Sequence, residues 1–228
     1  MDDPARQQPT LPMGVGPLGD SGVEEEVLAR LRRGGQAALA SEFMRHRPRL
    51  HRMVQMRLDH RAAGQVDPSD VLQEAFFEAV RQLDQYLAHP PMPLFLWLRY
   101  LTGQRILAIH RRLGVDQKQD SCQEVPMESV PRPEADSVSL SRRLADQLRR
   151  TGPAAGGEEL YARLEQAIAQ LAPLDREILA LRHFEQLNNQ EAAEELGLSP
   201  AAASRRYVQA LQKLREAMAP LPGPQSEP

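Results

Sequence analysis

Apolar residues recur along most of this chain at spacings of three, four or seven, and no window alternates apolar with polar residues convincingly enough to predict a strand. Such spacing places the apolar side chains on one face of an α-helix. The helical patterns run from about residue 23 to 113 and again from about 158 to 218. The sequence therefore predicts an all-α protein with two small helical domains.

Glycine and proline divide the first helical stretch. The sequence Arg-Arg-Gly-Gly at 32–35 breaks the pattern of residues 23–59 into two helices. Asp67 followed by Pro68 combines a capping residue with proline at the first helical position, which is a helix-start signal. We expect that helix to end near Leu87.

A proline-rich loop and a polar stretch follow. Three of residues 90–93 are proline, which forbids a helix interior there, and a further helix is expected from about 94 to 113. Residues 114–157 are dominated by Gln, Asp, Ser, Pro and Gly, which predicts a flexible linker between the domains, compatible with a short helix near 139–150. Residues 1–22 and 219–228 are polar and proline-rich, and we interpret them as disordered tails.

Composition excludes several classes of protein. The most apolar run, residues 93–98, is far shorter than the roughly 18 residues that span a bilayer, and the N-terminus lacks the pattern of a signal peptide, so we expect a cytoplasmic protein without membrane insertion. The only cysteine, Cys122, excludes an intrachain disulfide framework or a cysteine zinc site. The net charge of −3 means that any affinity for nucleic acid must come from local basic patches.

The clearest motif lies near the C-terminus and is typical of a helix-turn-helix. Two short helices that cross steeply need a small residue at their contact, which Ala193 supplies, and a residue that tolerates positive φ at the turn, which Gly197 supplies. Ser199 and Pro200 provide the cap and first position of the second helix. A helical hairpin that packs on another protein is the alternative. The second helix favours DNA, because residues 196–215 contain no acid.

Two features of the first domain suggest partners. Asp70, Gln73 and Glu74 share one face of their helix, which is either ordinary solvated surface or a docking face for a basic partner. Residues 99–115 contain no acid, and Trp97 and Tyr100 lie among arginines. That combination suits single-stranded nucleic acid, because bases stack on aromatic rings and arginines neutralise phosphates. The alternative is that Trp97 lies in the hydrophobic core and that the arginines are only solvated.

The order of these motifs resembles the sigma factors of bacterial RNA polymerase, in particular the small two-domain extracytoplasmic-function (ECF) group of the sigma-70 family. Asp-x-x-Gln-Glu-x-Phe, a loop, a basic helix beginning Trp-Leu, a linker, Leu-Asp-Arg-Glu and a helix-turn-helix follow one another in that family's order. The resemblance covers roughly residues 25–113 and 158–218. It implies a polymerase-binding and −10 promoter-melting domain at 23–113 and a −35 recognition domain at 158–218.

The resemblance also implies roles for single residues. The polymerase-docking positions are Asp70, Gln73 and Glu74, and the loop from Ala88 to Leu94 corresponds to the one that captures a flipped base. The −10 positions are Trp97, Tyr100, Gln104, Arg105, Arg111 and Arg112. The −35 positions are Ser204, Arg205, Arg206, Val208, Gln209 and Lys213, of which Arg205 is best suited to reading a guanine.

The implied function is a sigma factor that directs core RNA polymerase to promoter DNA. The alternative is a stand-alone helix-turn-helix regulator whose N-terminal helices dimerise or sense a ligand. The acid-free basic helix after the Asp-x-x-Gln-Glu face argues against that alternative. No enzymatic role, metal or cofactor is expected, because the six histidines form no metal-binding pattern and there is no Gly-rich phosphate loop. An anti-sigma protein is a further partner that the resemblance admits but the sequence does not require.

Overall fold

The computed structural model describes residues 21–59, 62, 64–114, 133–135, 137–151 and 157–218. Nearly all of both predicted tails, and residues 115–132 of the predicted linker with Cys122, lie outside the described residues. The predicted all-α class is confirmed. The described residues form α1 (Ser21–Arg57), α2 (Pro68–Ala88), α3 (Leu94–Arg112), α4 (Ser137–Thr151), α5 (Gly157–Ala169), α6 (Pro173–Leu179), a π-helical turn (Ala180–Phe184), α7 (Asn189–Leu196) and α8 (Pro200–Met218).

The helix boundaries follow local signals that are visible in the sequence. At Gly35 the backbone takes φ 52° and ψ −133°, which divides α1 into two helical segments at the predicted break. Asp67 caps α2, because its carboxylate accepts a hydrogen bond from the Ser69 amide at 2.7 Å. The prolines that follow α2 keep residues 89–93 out of helical structure, and α3 begins at Leu94.

The first three helices enclose the core of the N-terminal half, by which we mean residues 21–114. The Trp97 and Tyr86 rings stack with centroids 4.2 Å apart and an angle of 14° between their planes. The Tyr86 hydroxyl donates to the Met92 carbonyl at 3.0 Å, which fastens the proline-rich loop to the same core.

Helices α5, α6, α7 and α8 form the C-terminal half, by which we mean residues 157–218. α8 packs on α5, α6 and α7. α4 is the short helix expected near 139–150, and it contacts both α5 and α1 with Leu140 fully buried. This part of the predicted linker is therefore packed, whereas the domain boundaries themselves stay predictions.

The turn before α8 depends on a left-handed residue, and this generates a test. Gly197 has φ 64° and ψ 32°, and a Cβ added there would meet no atom within 4 Å. Gly197→Ala should therefore lower the free energy of unfolding by about 1–2 kcal/mol through backbone strain alone. The midpoint of urea unfolding, followed by circular dichroism, measures this.

Gly22→Ala is the matched control for that substitution. Gly22 is exposed in the first turn of α1, and an added Cβ there also meets no atom. Alanine at a helical position should be neutral or stabilising. Equal midpoints for the two variants would contradict the assigned role of the left-handed turn.

Candidate nucleic-acid and partner interfaces

Hydrogen bonds fix the ends of both helices of the helix-turn-helix, and the Ser199 cap is the one among them that the sequence motif predicts. The Asn188 side chain accepts from the Glu191 amide at 2.9 Å, and the Glu191 carboxylate accepts from the Asn188 amide at 2.7 Å, which is a complete capping box at the start of α7. The Leu198 amide donates to the Ala193 carbonyl at 2.8 Å and closes the turn. The Ser199 hydroxyl accepts from the Ala202 amide at 3.2 Å and caps α8.

Small residues bring α7 and α8 close together. The buried side chains between these helices and their neighbours include several alanines, each no more than 1% exposed: Ala192, Ala193, Ala203 and Ala210. A short side chain at each position lets the two backbones approach, as predicted for Ala193. α8 therefore packs closely on the rest of the C-terminal half.

One face of α8 points to solvent and carries four of the six predicted −35 residues. They are Ser204, Arg205, Val208 and Gln209, and all four are exposed. These positions are one and four residues apart, so their side chains form a contiguous strip. The strip offers a guanidinium, an amide, a hydroxyl and an apolar group, which are the groups that read base edges in a major groove.

The other two predicted −35 residues already bind a carboxylate. Arg206 and Lys213 contact the two oxygens of Asp175 at 3.0 and 2.8 Å. The Asp175 side chain is 4% exposed, whereas those of Arg206 and Lys213 are 39% and 53% exposed. Both cations therefore connect α8 to α6, and part of each remains open to solvent.

The predicted docking face of α2 is exposed as expected. Asp70, Gln73 and Glu74 all point to solvent, while α2 packs its opposite side into the core. Phe77 lies one turn beyond Gln73 and Glu74 and is 56% exposed. Sequence reasoning missed Phe77, because a phenylalanine next to Phe76 in an apolar run looks like a core residue.

Trp97 is a correction to the predicted −10 set. Its ring is fully buried against Tyr86, so it is a core residue here and cannot stack on a base. The sequence alternative of a core tryptophan is the one that the structure supports.

The remaining −10 positions are at least partly accessible. Tyr100, Gln104 and Arg105 are half-buried, and Arg111 and Arg112 are exposed at the end of α3. Burial raises the pKa of the Tyr100 hydroxyl, so this group stays protonated as a donor. Arg105 forms an ion pair with Glu78 of α2, which holds its guanidinium against the helix surface.

A buried ion-pair cluster joins the two halves, and no sequence pattern predicts it. Glu185 is 1% exposed and receives Arg57 Nε at 2.7 Å on one oxygen and Arg99 Nη2 at 2.8 Å on the other. Burial would raise the pKa of this carboxyl, but Arg57 and Arg99 more than offset it, and the pKa is lowered. Glu185 is therefore ionised and fully paired.

Further contacts surround this cluster. Arg57 also donates to Glu177 at 2.8 Å and to the Pro133 carbonyl, and Arg99 also donates to Glu195 at 2.5 Å. Burial opposes the charge of Arg57, but Glu177 and Glu185 outweigh it and raise its pKa. The arginines and their glutamate partners lie 86 to 128 residues apart in the sequence, so no local pattern could have identified these pairs.

A cavity of about 500 Å³ lies between α1, the start of α3 and α7, and Glu24, Arg45 and His46 are among the α1 residues that line it. Pro93, Leu94 and Phe95 line one side, and Glu191 and Glu194 line the other. Within the described ranges, no group of acidic, histidine or cysteine side chains could hold a metal ion. No helix of the described residues is long and apolar enough to cross a membrane.

Comparison with known proteins identifies the C-terminal half. Residues 161–214 match the family model described as Sigma-70, region 4. A solved structure of CnrH in complex with the cytosolic domain of CnrY is similar at 20% identity, over 85% of this chain and 95% of that chain, with a TM-score of 0.48. No curated protein sequence gives a significant match. The helix-turn-helix of this chain therefore belongs to a sigma-70 region 4 domain, and that part of the predicted resemblance to the sigma-70 family is confirmed.

Proposed function

We propose that this chain is a sigma factor of the small two-domain ECF group, which binds core RNA polymerase in the cytoplasm and directs it to promoter DNA. The observation that carries this proposal is the region 4 match at 161–214, on a helix-turn-helix whose exposed face contains no acid from residue 197 to 215. Its role is binding and positioning, with no catalytic step of its own.

Reading of the −35 element is assigned to the exposed strip of α8. Arg205 can donate two hydrogen bonds to a guanine, and Gln209 one turn further on can bond an adenine. Val208, which is 57% exposed, suits the methyl group of a thymine. Asp175 already neutralises part of the positive charge of Arg206 and Lys213, so these two side chains would attract phosphates less strongly than unpaired cations do.

Docking to polymerase is assigned to the exposed face of α2. Asp70 and Glu74 provide negative charge and Gln73 provides an amide, which fit a basic partner surface. Phe77 supplies an apolar anchor one turn beyond Gln73 and Glu74, and aromatic anchors surrounded by a polar rim dominate the energy of many interfaces.

The −10 contacts are assigned to the exposed side of α3. Arg111 and Arg112 can neutralise the DNA backbone, and Tyr100 and Gln104 can contact unpaired bases. Each half alone would bind its promoter element weakly. With both halves held on one polymerase, the second contact forms at a high effective concentration.

Removing the centre of the docking face should strongly weaken polymerase binding while the fold stays intact. Gln73→Ala with Glu74→Ala is expected to weaken binding to purified core RNA polymerase by about tenfold to a hundredfold, because both side chains are exposed and make up the centre of the proposed face. Co-elution on a sizing column and titration by fluorescence anisotropy measure the loss.

Asp84→Ala with Gln85→Ala is the matched control. It removes the same two kinds of group from exposed positions about three turns further along α2. It should bind polymerase like the unchanged protein. Unchanged binding by the Gln73 and Glu74 variant would rule out the proposed docking face.

Arg205→Ala should cost specificity at one position of the −35 element. The expected loss is about 1–3 kcal/mol for the preferred base, because a bidentate contact to guanine disappears. The measurement is selection by the reconstituted holoenzyme from a promoter pool randomised at −35, followed by sequencing.

Arg215→Ala is the comparison for Arg205→Ala, since it removes an exposed arginine from the last turn of the same helix. It should leave base preference unchanged. If Arg205→Ala instead weakens binding equally for all sequences, Arg205 contacts a phosphate and not a base.

A further inference from the structure

The cavity between α1, the start of α3 and α7 has the size and the lining of a small-molecule site. Its volume of about 500 Å³ falls within the range of roughly 300–1,000 Å³ that is usual for such sites. The apolar part of its wall consists of Val23, Val27, Pro93, Leu94 and Phe95. The Phe95 ring is covered by the Arg49 guanidinium, which lies 3.6 Å from its centre. This wall suits the methylene groups of an aliphatic chain, since both surfaces leave water on contact.

The polar part of the wall is mainly acidic. Four carboxylates line the cavity, those of Glu24, Glu42, Glu191 and Glu194. Arg30 pairs with Glu42 at 2.9 Å. Arg49 pairs with Glu191 at 2.6 Å. These two arginines neutralise half of the acidic lining and leave the other half without a cation.

The carboxylates of Glu24 and Glu194 have only neutral donors. Glu24 accepts from the Leu94 amide at 2.6 Å, and Glu194 accepts from the Gln190 side chain at 3.2 Å. Within the described ranges, neither carboxylate forms an ion pair with a basic side chain. Burial raises the pKa of both carboxyls, and the charge of Glu24 raises that of Glu194 further. The two charges therefore lie close enough for one short molecule to reach both.

Glu42 gives an independent indication that the cavity can receive a hydrogen-bond donor. The residue is 8% exposed, and its Oε2 atom is buried and accepts no hydrogen bond from the described residues. Arg45 Nη1 lies 3.7 Å from this oxygen, too far for a hydrogen bond. Buried carboxylate oxygens nearly always have a donor. Because Glu42 lines the cavity, a donor that enters beside it can satisfy this oxygen.

The lining favours an organic cation over a metal ion. A metal ion needs several ligands close together, and no group of acidic, histidine or cysteine side chains in the described part of the chain is arranged to hold one. Here the carboxylates are divided between α1 and α7 and share the cavity with apolar side chains. An ammonium group has three N–H donors of its own and can bind one or two carboxylates without further ligands.

We propose that this cavity binds a linear aliphatic diamine or polyamine, with its ammonium groups at Glu24 and Glu194 and its methylene chain against Leu94 and Phe95. Hydrogen bonds between ammonium and carboxylate groups are charge-assisted and stronger than those between neutral groups. The ammonium group at Glu24 can also donate to Glu42. The site is separate from the faces assigned to polymerase and to promoter DNA, so this proposal does not depend on the proposed function.

Titration calorimetry of the full-length protein with putrescine, cadaverine and spermidine tests the site. At least one of these amines should bind saturably, with one molecule per chain. The diol with the same chain length as cadaverine is the matched ligand, because it keeps the methylene groups and lacks the charges. It should show no binding at the same concentrations.

Glu24→Gln with Glu194→Gln should weaken binding of the amine by about tenfold to a hundredfold, because two charged hydrogen bonds become neutral ones. Glutamine keeps a carbonyl oxygen for the Leu94 and Gln190 donors, so the helices should stay intact, which circular dichroism checks. Glu25→Gln with Glu216→Gln removes the same charge from exposed positions outside the cavity lining, and should bind like the unchanged protein.

Nuclear magnetic resonance locates the bound amine. The Leu94 amide donates to Glu24, so its ¹H–¹⁵N signal should move as the amine binds, whereas that of Arg205 in α8 should not.

Three results would each overturn the site. They are no saturable binding of any of the three amines, equal weakening by the two double variants, and saturable binding that leaves the Leu94 signal in place. Failure of the proposed sigma function would appear separately, in the polymerase titration of the α2 variants.

Discussion

The position of one half of this protein on the other depends on the Glu185 carboxylate. Its two oxygens receive two arginines from different helices, Arg57 at the end of α1 and Arg99 in α3. Since α1 and α3 also pack against each other, a single buried charge joins the C-terminal half to both of them at once. Loss of either arginine would leave an incompletely compensated charge in the interface, which typically costs 3–5 kcal/mol.

The backbone before Glu185 explains how this carboxylate reaches the interface. Residues 180–184 form a π-helical turn, in which the Glu185 amide donates to the Ala180 carbonyl at 2.9 Å. Gln186 then takes a left-handed conformation with φ 59°, and α7 begins only at Asn189. Because of this wider turn and the left-handed Gln186, α7 runs in a different direction from α6. Wide turns of this kind are frequent at functional sites, because they redirect a side chain that a regular helix would point elsewhere.

The sequence predicted the local features of this fold well. Capping residues and prolines mark where α2, α3 and α8 begin, and Gly197 has the positive φ that a tight turn between α7 and α8 needs. The exposed faces of α2 and α8 followed from helical spacing, because each helix has one clearly apolar side. Each of these signals involves residues that are close together in the chain, so one sequence is enough to recognise it.

Features that depend on distant residues could not be predicted in this way. The family resemblance and the neighbouring arginines predict that Trp97 contacts DNA, with a core position as the alternative, but α3 is buried on most of its circumference, from Leu94 to Arg99 without interruption. For a helix that is buried all round, the spacing of apolar residues does not show which side chains face the core. Arg99 shows the same limit, since an arginine in an acid-free helix looks like a nucleic-acid contact until its glutamate partners, 86 and 96 residues away, are located.

Arg99 shows how an arginine that looks suited to nucleic acid can instead bind carboxylates of the protein itself. In a helix without acids, an arginine attracts any anion, and here the nearest anions are supplied by the protein itself at Glu185 and Glu195. A phosphate backbone that competes for the same helix must offer more interaction energy than these carboxylates, because a ligand shifts a conformational equilibrium only by its difference in affinity for the two states.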